Sequence, residues 1–175
     1  YQMMGNEIRD PHSVESEFEK VAGMGLLDAV TVMQKEKRTL QAEAEVCANQ
    51  GILEGTLHMK VKGYEIHMGL TQLSGSCMPF GMVSGVPANG LTQADGACDR
   101  EGRAIGTYIH GIFDNSGFAL RIVNNLRKRK GLNEIETRDA DFRSFKQKEY
   151  DRLVKLIRDS VDIGKVYEIM NSWEE

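Results

Sequence analysis

Between Ala104 and Leu126 the sequence reads as strand, turn and helix in immediate succession, an order that commits the chain to strands and helices sharing one core. Residues 104–109 are rich in β-branched and aromatic side chains, as a strand requires. Asp114-Asn115-Ser116-Gly117 then supplies capping residues before a helical apolar pattern at Ala119, Ile122, Val123 and Leu126. His110 stands where the apolar run gives way to the turn. Ligands gather in loops beyond the carboxyl ends of strands in open α/β sheets, so a histidine here can serve as a general base. A surface or capping histidine fits the same position, and from the pattern alone both readings stay open.

A chain of 175 residues is long enough for one domain with a real core. Its formal charge of -4, from 22 basic and 26 acidic side chains, gives no electrostatic reason to expect nucleic acid or an anionic membrane as partner. The basic run Arg127-Lys128-Arg129-Lys130 is expected in the last turn of the helix that Gly131 ends, where cations complement the helix dipole. There is no apolar stretch of membrane-spanning length and no signal peptide, so a cytoplasmic location is expected. Cys47, Cys77 and Cys98 form no C-x-x-C pair, and the four histidines show no i, i+4 pairing, so neither a disulfide framework nor a metal site is expected. Cys77 reads as a loop cysteine, since no strand and helix flank it as a nucleophile elbow needs.

In chain order, Tyr1-Gln2-Met3-Met4-Gly5 reads as the inside and end of a helix, so the chain is expected to begin in mid-domain. Residues 6–13 read as a loop, 14–21 as a short solvated helix or turn, and 23–27 as a turn into a strand over 29–33. Two antiparallel strands are expected on either side of the Asn49-Gln50-Gly51 turn, although residues 38–46 mix polar and apolar side chains without a clean period. In Lys62-Gly63-Tyr64-Glu65-Ile66-His67-Met68-Gly69, Glu65 and His67 alternate with Tyr64, Ile66 and Met68 and share one face; an exposed sheet face and a functional one account for this equally well. Residues 71–94, rich in Gly, Ser and Pro, read as a loop, Asp95-Gly96 as a turn, and 99–103 as a hairpin loop. The remainder after the His110 unit is expected to be helical, with stripes at Tyr150, Leu153, Val154 and Ile157 and at Val166, Tyr167 and Met170.

Three of these segments, Tyr1-Gln2-Met3-Met4-Gly5, Gly63-Tyr64-Glu65-Ile66-His67-Met68-Gly69 and the run from Gly106 to Asn115, resemble in order and rough spacing the glutaminase domain of the cobyric acid synthase family. The resemblance continues through Leu126-Arg127 to the C-terminal helices. It implies an α/β fold of the flavodoxin-like class I glutamine amidotransferase type: a mixed, mostly parallel sheet flanked by helices, with its first strands outside these residues. One partial domain is expected over 1–175, with the sheet and site in 1–131 and C-terminal helices in 132–175.

The family chemistry uses a cysteine thiolate on a strained turn to attack the side-chain amide of glutamine, a histidine to move protons, and backbone N–H groups to hold the oxyanion. By resemblance His110 is that histidine; Gln2 with Tyr1 holds the substrate glutamine; and Glu65, Ile66, His67 and Met68 meet its amino-acid end. The family's Cys-Gly-Gly-Tyr-Gln string places the cysteine four residues before Gln2, ahead of Tyr1, so the 175-residue chain alone is expected to be silent. The position two residues after the histidine, a glutamate in many class I glutaminases, is Ile112 here. Asp114 is the nearest carboxylate in sequence and reads equally as a cap. The resemblance further implies that ammonia reaches corrin carboxylates activated with ATP and magnesium on a separate synthetase domain, since no phosphate-binding Gly-x-x-x-x-Gly-Lys-Ser/Thr loop occurs here. Two alternatives remain: the glutaminase part of a cobyrinate a,c-diamide synthase or of a peptidoglycan-precursor amidotransferase, and a non-catalytic interaction module.

Overall fold

Two long antiparallel strands set out the fold. In the computed structural model, which describes residues 1–84, 92–136 and 142–172, β3 (Ala29–Val46) pairs along its length with β4 (Lys60–Leu73). Before them come a 3-10 turn over Gln2–Met4 and two short strands, β1 (Glu7–Arg9) and β2 (Lys20–Ala22); after them come β5 (Cys77–Met78), β6 (Gly81–Ser84), β7 (Gln93–Asp95), β8 (Ala97–Asp99), β9 (Ile105–Gly106), β10 (Ile109–His110) and the helix α1 (Ser116–Arg129). The main sheet runs β10-β4-β3-β1-β2, with β6 on β3 and β7 on β6, while β5-β8-β9 form a second, three-stranded sheet. These elements lie in a unit spanning Tyr1–Thr137; a second unit, Arg138–Glu175, holds α2 (Phe142–Ser160) and α3 (Ile163–Asn171), the latter capped by Asp162, which accepts from Lys165 N–H at 3.0 Å.

The sheet is mixed, as expected, but its balance is corrected: within the described residues only β1–β3 is parallel and the remaining pairings are antiparallel. Parallel neighbours need a crossover of a dozen or more residues, usually helical, whereas most strands here follow one another through short turns.

The uneven period of residues 38–46 has a clear cause. On β3 the buried positions are Ala29, Thr31 and Met33, then Ala42, Ala44 and Val46, a switch from odd to even numbers. Residues 34–37 stand opposite Met68 alone, between the pairs Met33↔Gly69 and Arg38↔His67. This bulge adds an odd number of residues and turns the inward set over, as any odd register shift must. β4 keeps one phase, with Val61, Glu65 and Gly69 inward.

Tertiary pairing overrides local pattern elsewhere. Residues 6–13 are not simply a loop, because Glu7–Arg9 is clasped between β2 and β3. Of the helix or turn expected over 14–21 the helix does not form and the chain bends instead: buried Asp10 accepts the N–H groups of Val14, Glu15 and Ser16 at 2.8, 2.8 and 3.0 Å, which aims those amides at one carboxylate, and the segment then enters β2. Residues 71–94 hold the end of β4, all of β5 and β6, and part of β7, so Cys77 lies on a strand; residues 85–91 of that expected loop lie outside the described residues. The expected strand over 104–109 is two strands in two sheets.

The main core joins Ala42, Ala44, Val46, Val61, Phe80, Val83, Cys98 and Ile109 to Phe118 and Ile122 of α1. Phe80 and Phe118 meet edge to face at 6.0 Å. The packing face of α1 is thus rotated from the expected stripe: Ile122 is inside, but Val123 and Leu126 are 42% and 43% exposed. Asn125 takes the next inward turn, donating to the carbonyls of Ile52 and Glu54 at 2.9 and 2.7 Å. The helix ends at Gly131, in the left-handed region with φ +66°, where Leu132 N–H returns to Arg127 O at 2.9 Å.

This face assignment can be checked by urea denaturation: Phe118→Ala is expected to cost about 3–5 kcal/mol and Val123→Ala to stay within about 0.5 kcal/mol. The Asp10 clasp gives a pH prediction. Its backbone donors hold the carboxyl below the ordinary aspartate value, Val14 N–H foremost. A depressed folded-state value means that this stabilisation is present above the unfolded value of about 4 and is lost as pH falls through the folded one. The amide NMR shifts of Val14, Glu15 and Ser16 are expected to stay constant at neutral pH and to titrate together below about pH 4, with no such step in Asp10→Ala.

Candidate functional site

The site is built around the glycine-bracketed segment of β4. A Cβ at Gly63 would lie 2.1 Å from the carbonyl oxygen of His110, and one at Gly69 would lie 2.3 Å from Gln2 Nε2, 2.5 Å from Thr31 Cγ2 and 2.9 Å from Tyr108 Oη. The two glycines therefore admit β10 at one end and the Gln2 side chain at the other. Between them the alternation is resolved: Glu65 is 3% exposed and turns inward with His67, whereas Tyr64 and Ile66 are 56% and 44% exposed.

Buried charge on this face is matched by neighbours. Arg38 Nε lies 2.9 Å from Glu65 Oε2 and His67 Nε2 lies 3.6 Å from Glu65 Oε1. Arg38 Nη1 donates to Gln93 Oε1 at 2.6 Å. His67 Nδ1 sits 2.8 Å from Gly69 O, and because a carbonyl only accepts, Nδ1 carries the hydrogen and Nε2 faces the carboxylate. Arg38 Nε and Nη2, Glu65 Oε2 and His67 Nε2 are buried without a hydrogen-bond partner among the described residues, so the Arg38–Glu65 contact is one of charge rather than of alignment.

Tyr108 ties this cluster to both chain segments that flank it. Its ring stacks on His67 at 3.8 Å and 13° and takes the edge of Tyr1 at 4.8 Å. Its hydroxyl is 2.6 Å from Thr71 Oγ1, which is 2.7 Å from Thr31 Oγ1. Burial raises the phenol of Tyr108, and burial reinforced by Tyr108 raises that of Tyr1. Beneath them lies Asp95, 4% exposed, which accepts the Thr107 hydroxyl and, at 3.2 Å, the Tyr108 N–H. Burial raises the Asp95 carboxyl, a rise opposed chiefly by the Thr107 and Tyr108 hydrogen bonds.

His110 follows on β10, opposite Tyr64 of β4. A histidine that moves protons to the nucleophile is expected at the end of a central strand; among the described residues β10 is instead an edge strand of two residues. Gly111, at φ +75°, turns the chain into a 3-10 turn over Ile112–Asp114. Asn115 then does not cap α1 with its side chain. Its Oδ1 accepts Lys62 N–H and its Nδ2 donates to Lys62 O, both at 2.9 Å, so a side chain prolongs the pairing of β4 after β10 has ended.

A cavity of about 500 Å³ is lined by Tyr1, Gln2, Ile66, His67, Met68 and His110 together with residues of β1, β2 and β3. These are the sequence-derived site residues except Glu65, which lines a separate hollow of about 60 Å³ with His67, Asp95 and Tyr108. A larger apolar hollow of about 630 Å³ lies elsewhere, among Leu26, Ile52, Phe80, Phe113 and Phe118; it holds neither His110 nor Gln2. No described cysteine lines the His110 cavity. Cys98 is fully buried, which with Asp99 pushes its thiol up to about 11, and Cys47 is raised by desolvation and Glu45. Cys77 Sγ accepts Asp28 N–H at 3.1 Å. Among the described residues no three His, Cys, Asp or Glu side chains are grouped to hold a metal ion, and no helix is long and apolar enough to cross a membrane.

Sequence reasoning missed Arg38, Asp95, Thr107 and Thr71 as members of the cluster. Asp95 precedes a glycine and so carried the signature of a turn; Arg38 sits just past the bulge, where no periodicity could place it.

Residues 1–118 match the family model of the CobB/CobQ-like glutamine amidotransferase domain. The chain is 41% identical to cobyric acid synthase of Thermoanaerobacter sp. (strain X514), over all of the chain and 34% of that protein. It is 43% identical to cobyric acid synthase of Dehalococcoides mccartyi (strain CBDB1), over 98% of the chain and 33% of that protein. It is 38% identical to cobyric acid synthase of Streptococcus sanguinis (strain SK36), over the whole chain and 33% of that protein. The chain spans about a third of the length of these relatives.

The close approach at Gly69 is testable. Gly69→Ala is expected to force Gln2 from beside Tyr108 and to cost about 1–3 kcal/mol in urea denaturation, because Thr31 and Tyr108 cannot both retreat. Unchanged stability with Gln2 in place in a crystal structure of the variant would refute it.

Proposed function

This chain belongs to the CobB/CobQ-like glutamine amidotransferase domain family, and from that premise we propose that it forms the glutamine-hydrolysing portion of a cobyric acid synthase. In this reading the protein releases ammonia from glutamine and passes it to ATP-activated carboxylates of a corrin, in cobalamin biosynthesis in the cytoplasm. The observation that carries the reading is the cavity shared by Gln2 and His110, with the Ile66–Met68 stretch of β4 between them.

The chemistry requires a thiolate sulfur to bond to the amide carbon of glutamine, with the carbonyl electrons moving onto oxygen. Collapse expels the amide nitrogen, which takes a proton from the imidazolium of His110 and leaves as ammonia. Water, deprotonated by the now neutral imidazole, cleaves the thioester to glutamate and restores the thiol. We place the thiolate on a cysteine ahead of Tyr1, because the described cysteines lie outside the cavity. The polar end of Gln2 and the backbone of Ile66, His67 and Met68 are then the groups available to the substrate's amide and amino-acid ends.

ATP and magnesium do not fit this portion: the sequence has no Gly-x-x-x-x-Gly-Lys-Ser/Thr loop, and the carboxylates of the cluster are occupied by Arg38, Thr107 and Tyr108. We assign both to other parts of the protein.

In the intact gene product, His110→Ala is expected to lower glutamine-dependent amidation by about 10²–10⁴-fold while amidation supplied with ammonium salts continues. Gln2→Ala is expected to raise the KM for glutamine by about tenfold with the ammonia-supplied rate unchanged. Full glutamine-dependent activity in His110→Ala would overturn the reading.

A further inference from the structure

We propose that Asp95 is a positioning residue for His110, acting through Thr107 and Tyr108. The proposal rests on the glutaminase reading and adds to it the device that aims the histidine. β9 belongs to the three-stranded sheet and β10 to the main sheet, so the chain must change sheets within Thr107 and Tyr108. The change is made over one carboxylate. Asp95 Oδ2 accepts the Thr107 hydroxyl and Asp95 Oδ1 accepts Tyr108 N–H. Thr107 Oγ1 in turn accepts Ile109 N–H at 3.0 Å. The hydroxyl of Thr107 and the N–H groups of the next two residues are thus gathered, directly or through one hydroxyl, onto a single side chain that is 4% exposed.

Asp95 is itself fixed. It ends β7, its carbonyl accepts Phe80 N–H at 3.1 Å, and Gln93 two residues earlier is held by Arg38. The path from the core to His110 is therefore a short series of hydrogen bonds through the Asp95 and Thr107 side chains. Beyond Ile109 the histidine has little other support, since β10 has two residues and Gly111 is left-handed. Keeping a carboxylate buried here is costly, because burial disfavours its charged form. The two donors fall on different oxygens of the one carboxyl group, so the corner is held at two points.

Positions near reacting groups tolerate little error, and a misplacement of about 1 Å can cost about 10²-fold in rate. In the intact gene product, Asp95→Ala is expected to lower glutamine-dependent kcat by about 10²-fold, with the KM for glutamine within about twofold of wild type and ammonia-supplied amidation unchanged. Asp95→Asn, which keeps an acceptor for Tyr108 N–H, is expected to recover part of that loss. Thr107→Val, which removes the hydroxyl linking Asp95 to Ile109 N–H but leaves Tyr108 N–H on Asp95, guards against misfolding of Asp95→Ala and is expected to lower kcat about tenfold with the same unchanged KM. Wild-type kcat in both Asp95→Ala and Thr107→Val, with His110→Ala inactive on glutamine, overturns the positioning role and leaves the glutaminase reading standing. Equal loss of glutamine-dependent and ammonia-supplied rates in Thr107→Val and Asp95→Asn also overturns it, by showing a role in the fold alone. Glutamine-dependent activity persisting in His110→Ala fails the glutaminase reading itself.

Discussion

The bulge in β3 is the constraint from which the rest of the sheet follows. By setting residues 34–37 against Met68 alone, it lets one strand serve two different inward surfaces. On one side of it Ala42, Ala44 and Val46 present small side chains to which α1 can come close; on the other Ala29, Thr31 and Met33 lie under the N-terminal turn that carries Gln2. Without the bulge one of these inward sets would be turned to the outer face. It also delivers Arg38 opposite His67, the first paired residue after the irregularity, and so beside Glu65. The site and the core are thus consequences of a single local departure from regular pairing.

Burying Glu65, His67 and Arg38 together is not a route to high stability, since desolvation of such groups offsets most of their mutual attraction. Removing one partner, however, strands the others and commonly costs about 3–5 kcal/mol. The arrangement therefore specifies one geometry more than it strengthens it. Tyr108 shows the use of that specificity: stacked on His67, edged by Tyr1 and hydrogen-bonded to Thr71, it has few other places to be. Three segments distant in sequence are locked in register at the cavity wall.

Legibility from sequence followed how local the cause was. The strand, turn and helix around His110 were readable because β-branched residues, Asp114-Asn115 and the helical apolar spacing each act over a few residues, though the break at Thr107 was not, since it depends on Asp95 twelve positions earlier. The paired strands about Asn49-Gln50-Gly51 were readable; the length of β3 was not, because the bulge scrambles the period on which such reading relies. Glu65 and His67 could be placed on one face but not assigned to the inside, because the counter-charge is Arg38 on a neighbouring strand. Asn115 carried the mark of a cap and is instead a backbone surrogate for β4, a choice set by Lys62 being left without a partner when β10 stops. The union of Gln2 with His110 in one cavity was expected from family resemblance and could not have come from spacing.

The shortness of β10 is what lets these pieces act together. A longer strand would run alongside Ile66, His67 and Met68 and cover that edge of β4. Because β10 pairs only through Ile109↔Glu65 and His110↔Tyr64, no further described residue of β10 pairs with β4 beside Ile66, His67 and Met68, and the chain before Ile109 turns away to the second sheet. Ile66, His67 and Met68 thereby line the same cavity as His110. The sheet therefore stops pairing where the cavity wall begins, and the Asp95 corner is the structural cost of ending the strand there.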